Sequence, residues 1–354
     1  MKRKGILTAL LAFVCLMCAC SCSAPSNEVS EVTTSNVSTE NIVPVTRELF
    51  AMDTYMSVTA YGERAEEAVN AAVDEIKRLD ALLSVGDENS LIYRLNHGES
   101  VTVSEDITFL TEKSKWIYDR TEGAYDITIY PLMQLWGFTG SHQTVPTEED
   151  VSQTLLLCGF DKLNSKDGIP QPENGQGIDF GGIAKGYTSQ RIMDIFGEYK
   201  VVSGVVSLGG NVQCYGTKTD GSWWRCGITD PDHPQDSSYL SGVVRVKDKA
   251  VITSGSYERF FEENGKTYHH IMDPQTGYPA ESGLKSVTII SEDGTLADGL
   301  STACFVMGKE RSVSFWREHS QLFDMILITE HNDIFITAGI KDYFTSDEPC
   351  KIIE

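Results

Sequence analysis

Basic residues are scarce in this chain. Of its 354 residues, 29 are Lys or Arg and 51 are Asp or Glu, giving a formal net charge of -22. A surface of that sign repels a phosphate backbone, which argues against nucleic acid as a partner. It repels anionic lipid headgroups equally, so any hold on a membrane must come from something other than surface charge. A hydrophobic run of ~20 residues, long enough to span a bilayer, is missing. Internal repeats are missing too. Beyond residue 22 the cysteines are Cys158, Cys214, Cys226, Cys304 and Cys350, scattered and without C-x-x-C spacing. That argues against a thiolate metal cage and against a disulfide framework. The thiols read as small buried hydrophobes. An exported protein has room for one disulfide among them, but the spacing singles out no pair.

The N-terminus supplies the hold that surface charge cannot. "MKRKGILTALLAFVCLMCACSCS" has a basic start and an apolar run from Ile6 to about Ala19, the form of a secretory signal. Ala19 precedes Cys20 as in a bacterial lipoprotein cleavage site, and Cys22 after Ser21 is a second candidate. A plain cleaved signal or an uncleaved anchor would show the same basic and apolar blocks. The expectation is a signal over residues 1–19, a lipid on Cys20, and a tether over 20–41. Ser, Thr, Asn, Glu and Val without hydrophobic period make that tether a flexible coil, spanning on the order of 25 Å. The domain over 42–354 would then stand at the outer face of a cytoplasmic membrane.

From Ile42 the pattern is that of a folded domain. "TRELFAMDTYMSVTAYG" alternates as a strand or hairpin arm. Ala65, Ala68, Val69, Ala72, Val73, Ile76, Leu79 and Leu83 recur at helical spacing. Further helices are expected over about 104–121, from Thr147 to Gly159 with Asp150 completing a capping pattern, over about 183–196, and over 297–319. Strand-like runs such as "VVSGVVSL", "LKSVTIIS", "DMILIT" and "DIFITAG" come in series rather than in strict alternation with helices. That order implies an α+β fold with a mixed or largely antiparallel sheet.

Three stretches could carry chemistry. "IDFGGIAKGY", 178–187, lacks both the G-x-x-x-x-G-K-[ST] and the G-x-G-x-x-G spacing. Its glycines, Asp179 and Lys185 nevertheless open a helix, and a helix start presents free N–H groups to an anion. The same pattern fits a tight strand-to-helix turn with an exposed lysine. "HHIMDPQTGYP", 269–279, places two histidines before a turn forced by Asp-Pro and Thr-Gly. Alternation sends His269 and His270 to opposite faces, so one of them at most belongs to a site. "LADGLSTA", 296–303, puts Asp298 and Thr302 one helical turn apart. A carboxylate and a hydroxyl are hard oxygen donors suited to Mg²⁺. An N-cap aspartate beside a packed threonine would look the same. Tyr125, Tyr130, Trp136 and Phe138 crowd "GAYDITIYPLMQLWGF", either as core or as the wall of a pocket for a flat ring.

Taken in order, "AMDT", "LLS…NSLIYRLN", "GAYDIT…PLMQLWGF", "IDFGGIAKGY", "SLGGN", "ITSGSYERF", "HHIMDPQTGYP" and "ADGLSTA" resemble the ApbE family of FAD:protein FMN transferases, over about residues 47–340. The resemblance implies a T-fold-like α+β domain. It implies Mg²⁺-dependent cleavage of FAD, transfer of FMN to a Thr or Ser hydroxyl of an acceptor protein, and release of AMP. The backbone carbonyl of Ala184 and the side chains of Asp298 and Thr302 match the family's metal ligands. Met52, Ala124, Tyr125, Asp126, Asp179 and Lys185 match its FAD-contacting positions. His270 matches the histidine thought to move the proton, and Asp298 shares the catalytic assignment with it. Acceptors would be exported redox proteins, such as Rnf- or Nqr-type subunits, that carry Asp-x-x-[Ser/Thr]-Gly-Ala-[Ser/Thr]. This chain has no such motif, which argues against self-modification.

Two positions depart from the family pattern. Asp53 stands where many members carry glycine, and Val85 where an aromatic often touches the flavin; Tyr93 or Tyr125 is the expected substitute for it. Two other functions share the same site. One is a Mg²⁺-dependent FAD pyrophosphatase that leaves free FMN and AMP. The other is a non-enzymatic FAD-binding lipoprotein, for which Asp298, Thr302 and His270 together would be superfluous.

Overall fold

A computed structural model describes residues 43–102, 104–140, 142–166 and 169–354. The expected signal, the lipidation site at Cys20 or Cys22 and the tether lie outside the described residues. The chain opens with a hairpin, β1 (Val45–Ala51) and β2 (Thr54–Tyr61), joined through Met52 and Asp53. Helix α1 (Ala65–Leu83) buries the apolar stripe its spacing announced. Then come α2 (Leu91–Asn96), α3 (Glu105–Arg120), α4 (Tyr130–Leu135) and α5 (Glu148–Leu155). A small ribbon of β3 (Asn164–Lys166) and β4 (Ile169–Gln171) precedes α6 (Ala184–Glu198). Next are β5 (Ser203–Leu208), β6 (Asn211–Tyr215), β7 (Trp224–Thr229), β8 (Leu240–Val246) and β9 (Ala250–Gly255). β10 (Phe260–Glu263) and β11 (Lys266–His269) make a second hairpin. β12 (Leu284–Ser291) leads into α7 (Gly294–His319), and β13 (Asp324–Thr329), β14 (Ile334–Thr337), β15 (Phe344–Thr345) and β16 (Cys350–Ile353) complete the chain.

Nine strands form one sheet in the order β1-β2-β5-β6-β9-β12-β13-β14-β16. Each neighbouring pair is antiparallel except β14 with β16. This is the α+β architecture that the serial strand runs imply. Helices pack on one face, and the small sheet β15-β8-β7 packs on the other. Along β12 and β13, Val287, Ile289, Met325 and Leu327 join the helical core, while Ile290, Ile326 and Ile328 join the layer under the small sheet. Strands buried on both faces lose the polar alternation of a half-exposed strand, which is why Met325–Ile328 of β13 read as an unbroken apolar run. Each such side chain contributes roughly 1.5–3 kcal/mol by leaving water.

Several boundaries differ from the sequence expectation. Thr147 does cap α5, accepting from the Asp150 amide at 3.2 Å, but the helix stops at Leu155 rather than Gly159. The last helix starts at Gly294, capped by Asp293, and breaks at Gly308, whose φ of 72° no helix can accommodate. Helices α2 and α4 are six residues each, too short to display a hydrophobic period. The aromatic stretch resolves as core: Trp136 and Phe138 are buried against Phe261, Tyr268 and Tyr278, and the Trp136 indole donates to the Gly277 carbonyl at 3.0 Å.

Met52 and Asp53 both take left-handed backbone, with φ of 47° and 59°. Such a two-residue turn matches the twist of a hairpin and favours glycine or asparagine. The Met52 amide is held by Asp80 of α1 at 3.0 Å. The departure at Asp53 therefore falls on a position whose backbone geometry itself explains a preference for glycine. Asp53→Gly is expected to leave the melting temperature unchanged or raise it, and Asp53→Val to cost about 1–2 kcal/mol. Equal melting of all three proteins would contradict the left-handed turn.

Candidate functional site

In the nine-stranded sheet β6, β9 and β12 are neighbours, and α6 crosses α7 above them. The crossing is unusually close at Gly186. A Cβ placed there would lie 2.3 Å from the Gly294 carbonyl oxygen and 2.4 Å from Asp298 Cβ, so only glycine fits. The Gly186 amide donates to Asp298 Oδ2 at 2.7 Å, and Asn211 at the start of β6 donates from Nδ2 to Oδ1 at 3.0 Å. Asp298 is 4% exposed and has no basic partner among the described residues. It is not a helix cap: Asp293 fills that place, accepting from the Leu296 amide.

The other two proposed metal donors sit beside it. Thr302 lies one turn along α7, its Oγ1 3.3 Å from Ser254 Oγ at the end of β9. Gly182 lies over Thr302, since a Cβ there would be 3.5 Å from Oγ1. Ala184 falls between Gly182 and Gly186, and its carbonyl accepts from Thr188 Oγ1 at 2.8 Å. A carboxylate, a hydroxyl and a carbonyl are hard oxygens, few in number, and they fit a Mg²⁺ ion that takes its remaining ligands from phosphate and water. Among the described residues no three His, Cys, Asp or Glu side chains gather as a metal cage.

An anion-binding rim borders this cluster. The amides of Gly182 and Lys185 have no hydrogen-bond partner among the described residues, at the N-terminus of α6. Free amides at a helix start attract phosphate. The positive charge of Lys185 is felt by Asp179, Glu258 and His270, and that of Arg259 by Asp179 and His270. These five side chains therefore lie within charge–charge range of one another, around a recess that desolvates Asp179 and His270. Burial raises the Asp179 carboxyl, against the Gly181 amide and the two cations. Glu258 is exposed at the surface, yet the protein crowded around its carboxyl raises it to about 7, with Lys185 opposing and Asp298 adding. Burial pushes the half-buried His270 down to about 3, helped by Arg259 and Lys185. His270 is thus neutral near pH 7. Its Nδ1 lies 3.2 Å from the Arg259 carbonyl, so a proton there leaves Nε2 as the free acceptor. His269 turns the other way, with Nε2 3.2 Å from the Ala280 carbonyl and its ring edge-on to Phe305.

The remaining flavin-contact candidates divide into two groups. Met52, on the hairpin turn, reaches α6 with its sulfur 3.8 Å from Thr188 Oγ1. Ala124, Tyr125 and Asp126 are buried. The Tyr125 ring lies under Gly182, and its hydroxyl has no hydrogen-bond partner among the described residues. The Asp126 carboxylate is taken up by the amide and hydroxyl of Thr128, at 2.8 and 2.7 Å, and by the Phe160 amide at 3.1 Å. That leaves the backbone of this segment, rather than the carboxylate, to meet a ligand. Val85 packs against the core. Of its two expected substitutes Tyr125 is buried, whereas Tyr93 is partly exposed and stacks on His97 at 4.0 Å. Sequence reasoning gave no role to Asn211, Ser254, Glu258 or Arg259. Their signal was there in "SLGGN" and "TSGSYERF", but which side chains aim at Asp298, Thr302 or His270 depends on strand order.

The sequence profile of the ApbE family matches residues 52–327. An FAD:protein FMN transferase of Treponema pallidum is 29% identical over 97% of this chain and 96% of its own length. One of Klebsiella pneumoniae is 34% identical over 77% of this chain and 86% of its own. The crystal structure of the ApbE protein of Thermotoga maritima superposes with a TM-score of 0.77 at 33% identity, covering 85% of this chain and 99% of that one. The apo flavinyl transferase ApbE of Pseudomonas stutzeri gives 0.72 at 28% identity, over 82% and 92%.

The histidine geometry has a pH signature. In the ligand-free protein the His270 ring is expected to titrate well below its ordinary 6.5. The unfolded chain then binds a proton that the folded one refuses. The His270 contribution to stability is therefore full above 6.5 and is lost as pH falls toward about 3. An NMR titration of the imidazole carbons reads this directly, and a midpoint at or above 6.5 would contradict the desolvated recess.

Proposed function

The chain belongs to the ApbE family, and on that footing we propose that it transfers FMN from FAD to a Thr or Ser hydroxyl of an acceptor protein, with Mg²⁺ as cofactor and AMP as the second product. The observation that carries this reading is the adjacency of two unlike half-sites. A cluster of hard oxygens anchored by Asp298 borders free amides and cations suited to a diphosphate. A neutral histidine faces the same recess.

Each residue then has a task. Asp298, Thr302 and the Ala184 carbonyl hold the metal. When bound, Mg²⁺ offsets charge on the diphosphate oxygens. Lys185 and the Gly182 and Lys185 amides orient the diphosphate. Met52, Ala124, Tyr125, Asp126 and Asp179 line the rest of the FAD site, and Tyr93 is the aromatic nearest in kind to the one missing at Val85. His270 accepts the hydroxyl proton of the acceptor at Nε2 while the Arg259 carbonyl fixes Nδ1–H. With the proton removed, the oxygen attacks the FMN phosphorus, and the bond to the AMP oxygen breaks.

The acceptor class rests on the family resemblance, and its location on the N-terminal sequence. Export with a lipid on Cys20 would hold the domain at the outer face of the cytoplasmic membrane, beside exported redox proteins carrying Asp-x-x-[Ser/Thr]-Gly-Ala-[Ser/Thr]. Rnf- or Nqr-type subunits are of that kind.

The test is incubation of the protein with FAD, Mg²⁺ and an acceptor domain bearing the motif, read by intact mass. An added FMN that disappears with EDTA is expected. Free FMN and AMP with an unmodified acceptor would instead make this a pyrophosphatase, and intact bound FAD a binding protein. His270→Ala is expected to slow transfer by roughly 10²–10⁴-fold without loss of fold. Asp298→Ala is expected to abolish Mg²⁺-dependent transfer in a folded protein. Full activity in either variant would overturn its role. Asn211→Ala acts through Asp298, so it should raise the Mg²⁺ concentration for half-maximal rate by roughly 10–100-fold. Activity should be largely recovered at saturating Mg²⁺. A loss that no Mg²⁺ concentration recovers would make Asn211 merely structural.

A further inference from the structure

Two buried thiols meet between the layers of the fold. Cys214 on β6 belongs to the nine-stranded sheet, and Cys226 on β7 belongs to the three-stranded sheet packed against it. Their sulfurs are 4.0 Å apart, in contact across the interlayer core that also holds Ile228, Val244 and Val251. The other described cysteines are placed differently. Cys158 and Cys350 direct their sulfurs to the carbonyls of Thr154 and Glu348, and Cys304 is fully buried in the helical core.

We propose that Cys214 and Cys226 are a dithiol that closes to a disulfide bonding the two sheets together when the protein meets a disulfide oxidant. A disulfide needs sulfurs about 2.05 Å apart, so each must move by roughly 1 Å, within the reach of side-chain rotation. Cys226 is the attacking thiol. It is 7% exposed against 1% for Cys214, and β7 is the edge strand of its sheet. The charge of Lys218 favours a thiolate on either sulfur, against the burial that disfavours it. The Cys226 thiolate displaces one thiolate from an oxidant R–S–S–R and forms a mixed disulfide. The Cys214 thiolate then displaces the second. The two protein protons leave with the two R–SH molecules, so two thiols are oxidised and one external disulfide is reduced. The closed pair would tie β6, which begins at the Asp298-binding Asn211, to the layer behind it.

The chemistry can be read on the whole protein with oxidised glutathione as the probe. Lys218 and Arg225 lie between the two cysteines, so trypsin places them on separate peptides. The expected result is a mass loss of two hydrogens and a linked peptide pair containing Cys214 and Cys226, released by reductant. The oxidised protein should also melt at higher temperature than the reduced one, since a cross-link removes freedom from the unfolded chain. Cys226→Ser should abolish the linked pair. Because that variant could also perturb packing, the wild-type map decides. Glutathione remaining on Cys226, a link to Cys158, Cys304 or Cys350, or two free thiols after oxidation would each overturn the proposal.

Discussion

The site depends on how closely α6 and α7 can approach. The Gly186 amide reaches Asp298 only because Gly186 carries no side chain, and a methyl group there would collide with the Gly294 backbone and with Asp298 Cβ. A buried carboxylate without a cation is costly. Here it is offset by two hydrogen bonds, one from a helix N-terminus, whose positive end favours an anion. The same contact orients the carboxylate and fixes the distance between the helices. Ala184 and Thr302 are brought alongside as a consequence, because each lies within a turn of the crossing. Further bonds brace it. Ser189 donates to Gln213 at 2.6 Å, and the Gly294 amide and Gln213 amide both donate to Gln190.

Around that anchor the recess shifts titrations in opposing directions. Removing water disfavours charge on any group, so Asp179 and Glu258 rise while His270 falls. Lys185 and Arg259 hold the acids down and depress the histidine further. Over the range between 4.5 and about 7, the refused proton on His270 and the retained proton on Glu258 act oppositely on stability. The first contribution is lost on acidification and the second on rising pH. A ligand-free site built this way is poised for an anion. Negative charge entering beside Lys185 would relieve the two cations and make the histidine a stronger base.

Much of this was legible in the sequence, and the illegible part has a definite cause. Helix α1 could be read because one stripe of it is buried and the opposite face is wet. The serial strand runs gave the largely antiparallel sheet, and alternation separated His269 from His270. Asp126 illustrates the limit. Its position in "GAYD" suggested a flavin contact, whereas its carboxylate serves a turn, capping Ile127–Ile129 and tying down Phe160. Asn211 and Ser254 illustrate the converse. They look like ordinary turn and strand residues, and acquire a role only because β6, β9 and β12 are neighbours across long stretches of chain. Spacing reveals contacts within an element, whereas contacts between elements depend on strand order. The Cys214–Cys226 contact was illegible for the same reason.

Strand order also governs how the site can fail. Its donors come from the starts of α6 and β6, the end of β9 and the second turn of α7. No local segment holds more than two of them. Such a site forms only when the sheet has formed, and loop closure over these separations must precede any favourable contact between its members. Conversely, the anchor does not require the cation in order to be satisfied, since Asp298 already accepts from two donors within the protein. Under the proposed function, metal loading would then be a binding event on a finished scaffold rather than a step of folding. The scaffold keeps Asp298 in place by one backbone contact, from Gly186, and one side-chain contact, from Asn211. The residues most exposed to substitution, Lys185, Glu258 and Arg259, can accordingly tune charge in the recess without moving the anchor.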